Sequence, residues 1–429
     1  MRLLVDPSSF DCRNMGDVAM LQVAVARLRA LWPDAVIDVI TSDPAALEAH
    51  VPDATPVPNE GRVLWFTERY LLGGLHDRMP HAMSRQLVHW KRALRRRRPA
   101  LVSRAVRWKL RARGVPSDAP AQFLAAVDRA DAVLVSGAAT FADGARKHAL
   151  LVLNTLELAA DRGKPTALLG QGIGPVTGDD LRARASAVLP AARMIAVREA
   201  REGGALLAAF GVPANRIAFT GDDAIELAYD ARPRALGDAV GVNVRVAEHS
   251  GLDAAFAAAL GEVLRRFARE RGVSLVPLPI AFHKFAQDPA AIRAMIGGSD
   301  AGSDGGAALT EPLAVIREAG RCRIAVTGAY HAAVFALAQG VSVVCLARSP
   351  YYVFKFNGLA EQFGDACAVV RLDQGAPIDD VAAAMDRQWD AAPARRDAIL
   401  SVAAAQRAAG RAAYARLPEL LAPRTASVS

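Results

Sequence analysis

The chain has 429 residues, of which 52% are apolar and 22% charged, and carries a formal net charge of +8. That length exceeds one ordinary hydrophobic core and fits two or three domains, and the composition excludes a disordered or collagen-like chain. No run approaches the roughly 18 to 20 apolar residues needed to cross a bilayer, and the opening MRLLVDPSSF lacks a secretory charge pattern and cleavage site, so the cytoplasm is the expected address.

From Met1 to about Asp230, short β-branched runs alternate with helical segments, the pattern of parallel strands joined by crossovers. MRLLVD, AVIDVIT, ADAVLVS, TALLGQG and MIAVRE are the clearest strands. Asp17 to Trp32 carries Val18, Leu21, Val25, Leu28 and Trp32 on one helical stripe, which suits a helix covering a sheet face. Between His89 and Gly114 lie eleven Lys and Arg residues without one acid, interleaved with Trp90, Leu94, Leu101, Val102, Trp108 and Leu110. That mixture suits an anionic membrane surface, with the protein peripheral to its inner face, or a polyanion; a solvated helical face is the alternative.

Near ARPRALGD, residues 231–238, the periodicity lapses. Beyond it AVGVNVR, VSLVPLPIA, CRIAVTG and VSVVCLA read as strands buried on both faces, and Phe256, Leu260, Val263, Leu264 and Phe267 stripe the helix between the first two. After Asp379 the chain turns Ala- and Arg-rich and helical. The expected division is therefore an α/β chain with Rossmann-like domains over 1–235 and 236–380, then helices over 381–429 that pack back and end in a frayed APRTASVS. Cys12, Cys322, Cys345 and Cys367 lack zinc or redox spacing and read as reduced, mostly buried thiols.

Doubly wound sheets bind ligands outside the carboxyl ends of their strands. Five candidate segments fall there. Asn14, Gly16 and Asp17 precede the striped helix, as ligand contacts or as a simple cap. Gly170, Gln171, Gly172 and Gly174 follow TALL, where absent Cβ atoms let a ligand near the backbone, or where the chain simply turns. Arg198 ends MIAVRE, placed to grip a phosphate or carboxylate, or to pair with Glu199. Tyr330 and His331 open an Ala-rich helix after CRIAVTG; a histidine at a helix amino terminus suits proton transfer near neutral pH, although most lone histidines are structural. Lys355, after the next strand, is a matching cation or an ordinary exposed lysine.

The ordered motifs NMGD, LLGQGIGP, VRE, TGDDAIEL, GVNVR, YHAAVFALAQGVSVV and YVFKFNGLAEQFG, from Asn14 to Gly364, resemble the polysaccharide pyruvyl transferase family. The resemblance implies two Rossmann-like domains facing a central cleft, as in GT-B glycosyltransferases. It implies transfer of pyruvate from phosphoenolpyruvate to two hydroxyls of a sugar-containing acceptor, forming a ketal, with no metal or other obligate cofactor. Arg198, Arg245 and Lys355, with the amides of the glycine-rich segment, would hold the donor, and His331 would act as general acid or base. Asn14, Gly16, Asp17, Asp222, Asn243 and Tyr330 would line the cleft. The family pattern usually carries an arginine where this chain has Ala329, and a glycine triplet where it has Ser136, Gly137 and Ala138. Arg323 and Arg348 are the candidates to replace the missing cation.

Two other readings stand beside this one. A GT-B glycosyltransferase with a nucleotide-sugar donor would use the same architecture, and a non-catalytic adaptor would use the basic segment. No segment resembles a nucleic-acid-binding module, so no nucleic acid partner is expected.

Overall fold

The structure is a computed structural model that describes residues 1–7, 9–67, 90, 93–95, 97–112, 118–244, 254–283, 286–297, 303–372 and 377–422. The proposed donor ligand Arg245 and most of the tail expected to fray lie outside the described residues. Eight parallel strands form a first sheet: β1 (Arg2–Asp6), β2 (Val36–Thr41), β3 (Ala54–Pro58), β4 (Ala132–Val135), β5 (Ala138–Phe141), β6 (Thr166–Ile173), β7 (Met194–Val197) and β8 (Ile217–Phe219). Their order is β3-β2-β1-β4-β6-β7-β8, with β5 paired to β6. A second parallel sheet holds β9 (Ala239–Asn243), β10 (Leu275–Pro277), β13 (Cys322–Thr327), β14 (Ser342–Ala347) and β15 (Cys367–Arg371) in the order β10-β9-β13-β14-β15. Between them in sequence, β11 (Phe282–His283) and β12 (Ala286–Gln287) make a small antiparallel pair.

Both orders are those of doubly wound α/β units, the first reversing direction between β1 and β4 and the second between β9 and β13. The central strands are buried along their whole length, as AVLV in β4 and SVVCLA in β14 show, because helices cover both faces. The chain passes from one sheet to the other through helix Ala224–Asp230 and residues 231–238.

The largest apolar cluster belongs to both halves. It joins Leu21 and Leu28 of helix Met15–Leu31, Ile225 and Ala228 of helix Ala224–Asp230, and Phe335 and Leu337 of helix Tyr330–Leu337. Helix Ile378–Ala415 lays Val381, Ala384 and Met385 on the second sheet's outer cluster and then contributes Ile399, Ala403 and Tyr414 to the shared one. All four cysteines are buried free thiols. Among the described residues no helix is long and apolar enough to cross a membrane.

A polar knot fastens the far end of that long helix. Arg27 meets Asp223 at 2.7 Å and Glu226 at 2.5 Å, while the Tyr414 hydroxyl donates to Asp223 at 2.9 Å. Removing the cation of such a buried pair strands a carboxylate away from water. Arg27→Ala should therefore lower the unfolding free energy by about 3 to 5 kcal/mol, read as a shift of the urea midpoint.

Candidate functional site

At the carboxyl ends of the strands, where both sheets reverse direction, lies a cavity of about 720 Å³. Asn14 and Asp17 reach it from the loop and helix after β1, and Ala329, Tyr330 and His331 reach it from the junction after β13. Ser349, Tyr351, Tyr352 and Lys355 come from the junction after β14, and Asp143, His148 and Thr177 close the remaining wall.

Three helix amino termini converge on this space. Asn14 caps helix Met15–Leu31, its side-chain oxygen accepting from Gly16 N at 3.0 Å and Asp17 N at 3.3 Å. Ala329 precedes helix Tyr330–Leu337, and Ser349 caps helix Pro350–Phe363, where Pro350 supplies the first helical residue. The unpaired amides and dipoles of such termini favour anions.

Behind the cavity wall sits a buried ionic group. Arg198 Nη1 donates to Asp222 Oδ2 at 2.7 Å, and His331 Nε2 lies 3.6 Å from that same oxygen. Burial alone would raise the Asp222 carboxyl, but His331 and Arg198 outweigh it and hold it well below the usual carboxylate range. The Arg198 guanidinium packs 4.6 Å from the centre of the Tyr330 ring, which separates it from the cavity. Nη2 and Nε of Arg198, and Nε2 of His331, have no hydrogen-bond partner among the described residues.

Among the described residues the cation lining the cavity is Lys355, whose Nζ lies 4.4 Å from the Tyr351 ring centre and 5.3 Å from that of Tyr330. Burial, then Arg198, pushes this amine down to about 8, against the pull of Tyr352, Asp17 and Glu199. Burial pushes the Asp17 carboxyl up, opposed in part by His331, Lys355 and Arg198. Burial, then Arg62, pushes His148 down to about 4, leaving a neutral ring near pH 7.

The model of the polysaccharide pyruvyl transferase family matches residues 14–350, well over half of the sequence. The chain belongs to that family. It is accordingly a transferase, and the matched span holds Asn14, Arg198, Asp222 and His331 but stops short of Lys355. Its fold is shared with solved structures of low identity. A glycotransferase of kitacinnamycin is 15% identical over 98% of this chain and 99% of its own, with a TM-score of 0.50. A UDP-GlcNAc 2-epimerase from Neisseria meningitidis is 10% identical over 98% and 99%, at 0.53, and a putative UDP-N-acetylglucosamine 2-epimerase from Listeria monocytogenes is 12% identical over 97% and 96%, at 0.52. These likenesses give the GT-B architecture, two Rossmann-like units with a helical carboxyl-terminal segment. No curated protein matches the sequence.

Within this pyruvyl transferase family member, several candidate residues hold places other than those expected. Gly170, Gln171 and Gly172 belong to β6, which continues to Ile173, and the segment offers no open cradle for a ligand. Gln171 is fully buried and its amide donates to Ser136 O at 2.7 Å and Leu169 O at 2.9 Å. A Cβ on Gly172 would stand 2.2 Å from Arg198 Nη2, and one on Gly174 would meet Leu206 and Phe354 at 2.7 Å, so these glycines admit side chains of the protein itself. Gly16 does the same for His331, whose ring carbon lies 1.9 Å from where a Cβ would be.

Asn243 is also buried away from the cavity wall. Its side-chain amide donates to Leu278 O at 2.8 Å and Asp288 Oδ2 at 2.9 Å, and its backbone carbonyl accepts from Gly328 N, which positions the turn leading to Tyr330. Neither proposed replacement cation lines the cavity. Arg323 donates to Trp389 O at 2.9 Å, and Arg348 lies 6.0 Å from the Phe256 ring centre.

The sequence reading passed over Asp143, His148, Thr177 and Ser349. Ser349-Pro350 after a buried strand was a legible helix-start signal, whereas the other three come together only through folding. Because Arg198 is enclosed, Gly172→Ala should overpack the site and lower stability by about 1 to 3 kcal/mol, measured by chemical denaturation.

Proposed function

We propose that this cavity transfers pyruvate from phosphoenolpyruvate to two hydroxyls of a sugar-containing acceptor, forming a cyclic ketal. The observation that carries the reading is the convergence of three helix amino termini, Lys355 and His331 on one cavity in a member of this family. A donor bearing both phosphate and carboxylate needs cations and amides placed together, and addition to its enol carbon needs a proton donor.

The residues divide the chemistry as follows. Lys355 and the amides at Ala329 to His331 hold the donor's anions. A protonated His331 gives its proton to the methylene carbon while the first acceptor hydroxyl bonds to the enol carbon, and Asp17 takes that hydroxyl's proton. Asp222 remains ionised beside the ring and balances its charge while it carries the proton. The carbon–oxygen bond to phosphate then breaks, Asp17 returning its proton to the departing phosphate. The second hydroxyl closes the ketal and reprotonates His331. Asp143, His148 and Thr177 line the far wall, where polar groups suit a hydroxylated acceptor.

The fold's likeness to proteins named for UDP-sugars favours one competitor, a nucleotide-sugar donor in the same cavity. Thermal shifts separate the two: a ligand at about 100 times its dissociation constant adds about 2.7 kcal/mol of stability. Phosphoenolpyruvate should stabilise the protein and release phosphate when glycosides are supplied, whereas stabilisation by uridine diphosphate sugars alone would overturn the proposal. His331→Ala should cut kcat by about 10² to 10⁴ with little change in donor affinity, measured by turnover and calorimetry.

The pH dependence follows from Lys355. Its amine titrates at about 8, so the charged form that attracts the donor prevails below that pH and is lost as the pH rises through it. Donor affinity should therefore fall above pH 8, and Lys355→Arg should remove that fall across the accessible range.

A further inference from the structure

Helix Pro99–Arg111 shows apolar side chains on two opposite faces. Val102, Val106 and Leu110, spaced four apart, are buried against Leu4, Trp65 and Phe123 and account for its attachment to the protein. Leu101, Ala105, Trp108 and Ala112 recur at intervals of three and four on the other side, all exposed, with Leu101 at 59% and Trp108 at 70%. At one hundred degrees per residue within the helix, Arg104 flanks this strip on one edge and Lys109 on the other, and Arg97 and Arg98 lie exposed just before its first turn. No acidic residue occurs anywhere in residues 89–114.

The strip is set apart from the rest of the surface. Seven large hydrophobics are exposed among the described residues, and Trp90, Leu101 and Trp108 are three of them, all in this one segment. A narrow apolar ridge headed by tryptophan and edged only with cations is the arrangement that enters a headgroup layer, its aromatic ring at the boundary and its guanidinium groups on lipid phosphates. A soluble polyanion would be served by the cations alone and gives no account of the exposed tryptophan and leucine.

We infer that the outer face of helix Pro99–Arg111 docks the protein on an anionic phospholipid surface, with Leu101 and Trp108 inserted and the flanking arginines paired with headgroups. The cluster beneath this helix also supports Phe10, which packs 4.9 Å from His148 of the cavity wall. The docking face and one wall of the cavity thus rest on the same packed side chains. This inference stands on exposure and charge alone and is independent of the donor assigned above.

The test is cosedimentation of the full chain with vesicles of phosphatidylglycerol mixed with phosphatidylcholine, against vesicles of phosphatidylcholine alone. Wild type should partition to the anionic vesicles only. The pair Leu101→Ser with Trp108→Ser, and separately Arg97→Ser with Arg104→Ser, should each weaken that partition by at least about tenfold while leaving the melting temperature unchanged. Equal binding to both vesicle types, or wild-type partition in either variant, would overturn the inference. So would loss of binding in the arginine pair alone accompanied by displacement with heparin, which would identify a soluble polyanion. A lowered melting temperature in the Leu101 and Trp108 pair would place the strip in the core and would overturn it as well.

Discussion

The site depends on a carboxylate that has no access to water. Asp222 is fully buried, and an ionised group in that position is tolerable only when charge and hydrogen bonds replace its hydration. Arg198 supplies one partner at 2.7 Å, the Ala224 amide another at 2.8 Å, and His331 approaches to 3.6 Å. Arg198 and Asp222 follow neighbouring strands of the first sheet, whereas His331 stands on a helix of the second half. The pairing of arginine and aspartate can form within one half. The aspartate reaches the imidazole only when the halves pack, so assembly of the interdomain core and the approach of His331 to this carboxylate are the same event.

Close approach of these groups is possible because backbone positions around them lack side chains. Gly172 leaves room for the Arg198 guanidinium and Gly16 for the His331 ring, at distances where any Cβ would collide. Gly170 adopts φ of 59° beside Asp223, a conformation that costs glycine little and other residues more. The glycines therefore make room for the protein's own side chains, a guanidinium at Gly172, an imidazole at Gly16, a carboxylate at Gly170 and apolar groups at Gly174. The arginine is held by its ion pair with Asp222 and enclosed by close packing, which is why adding one methyl group there should be felt.

Much of the architecture was legible because buried parallel strands are written as uninterrupted apolar runs. AVLV, MIAV, CRIAVT and SVVCLA each correspond to an observed strand, and the stripe on Asp17 to Trp32 belongs to a helix that begins two residues earlier. The strands β3, β5, β8, β11, β12 and β15 went unread; they are two to five residues long, and β3, β8 and β15 are only partly buried, so their periodicity is weak. Around the cavity, His331, Asp17, Asn14 and Lys355 could be singled out from sequence because each sits at a strand-to-helix junction, a local feature. The glycine-rich segment was misread because absence of Cβ has the same signature whether a ligand or an arginine approaches. Asp143, His148 and Thr177 carry no local mark at all, since only the tertiary fold brings them to one wall.

The electrostatics of the cavity also bear on the replacement of the family's usual arginine by Ala329. One charge-assisted contact to an anion is worth about 1.5 to 3 kcal/mol. A helix amino terminus contributes about 0.3 to 1 kcal/mol near the surface and up to about 2 where partly buried, and three of them meet here around Lys355. Their sum is of the same order as the missing contact. Arg198 cannot move forward to compensate, because Asp222 and the Tyr330 ring hold it behind the wall. Among the described residues, an anionic donor would therefore be gripped mainly by backbone amides and one titratable lysine, a more pH-sensitive hold than a second guanidinium would give.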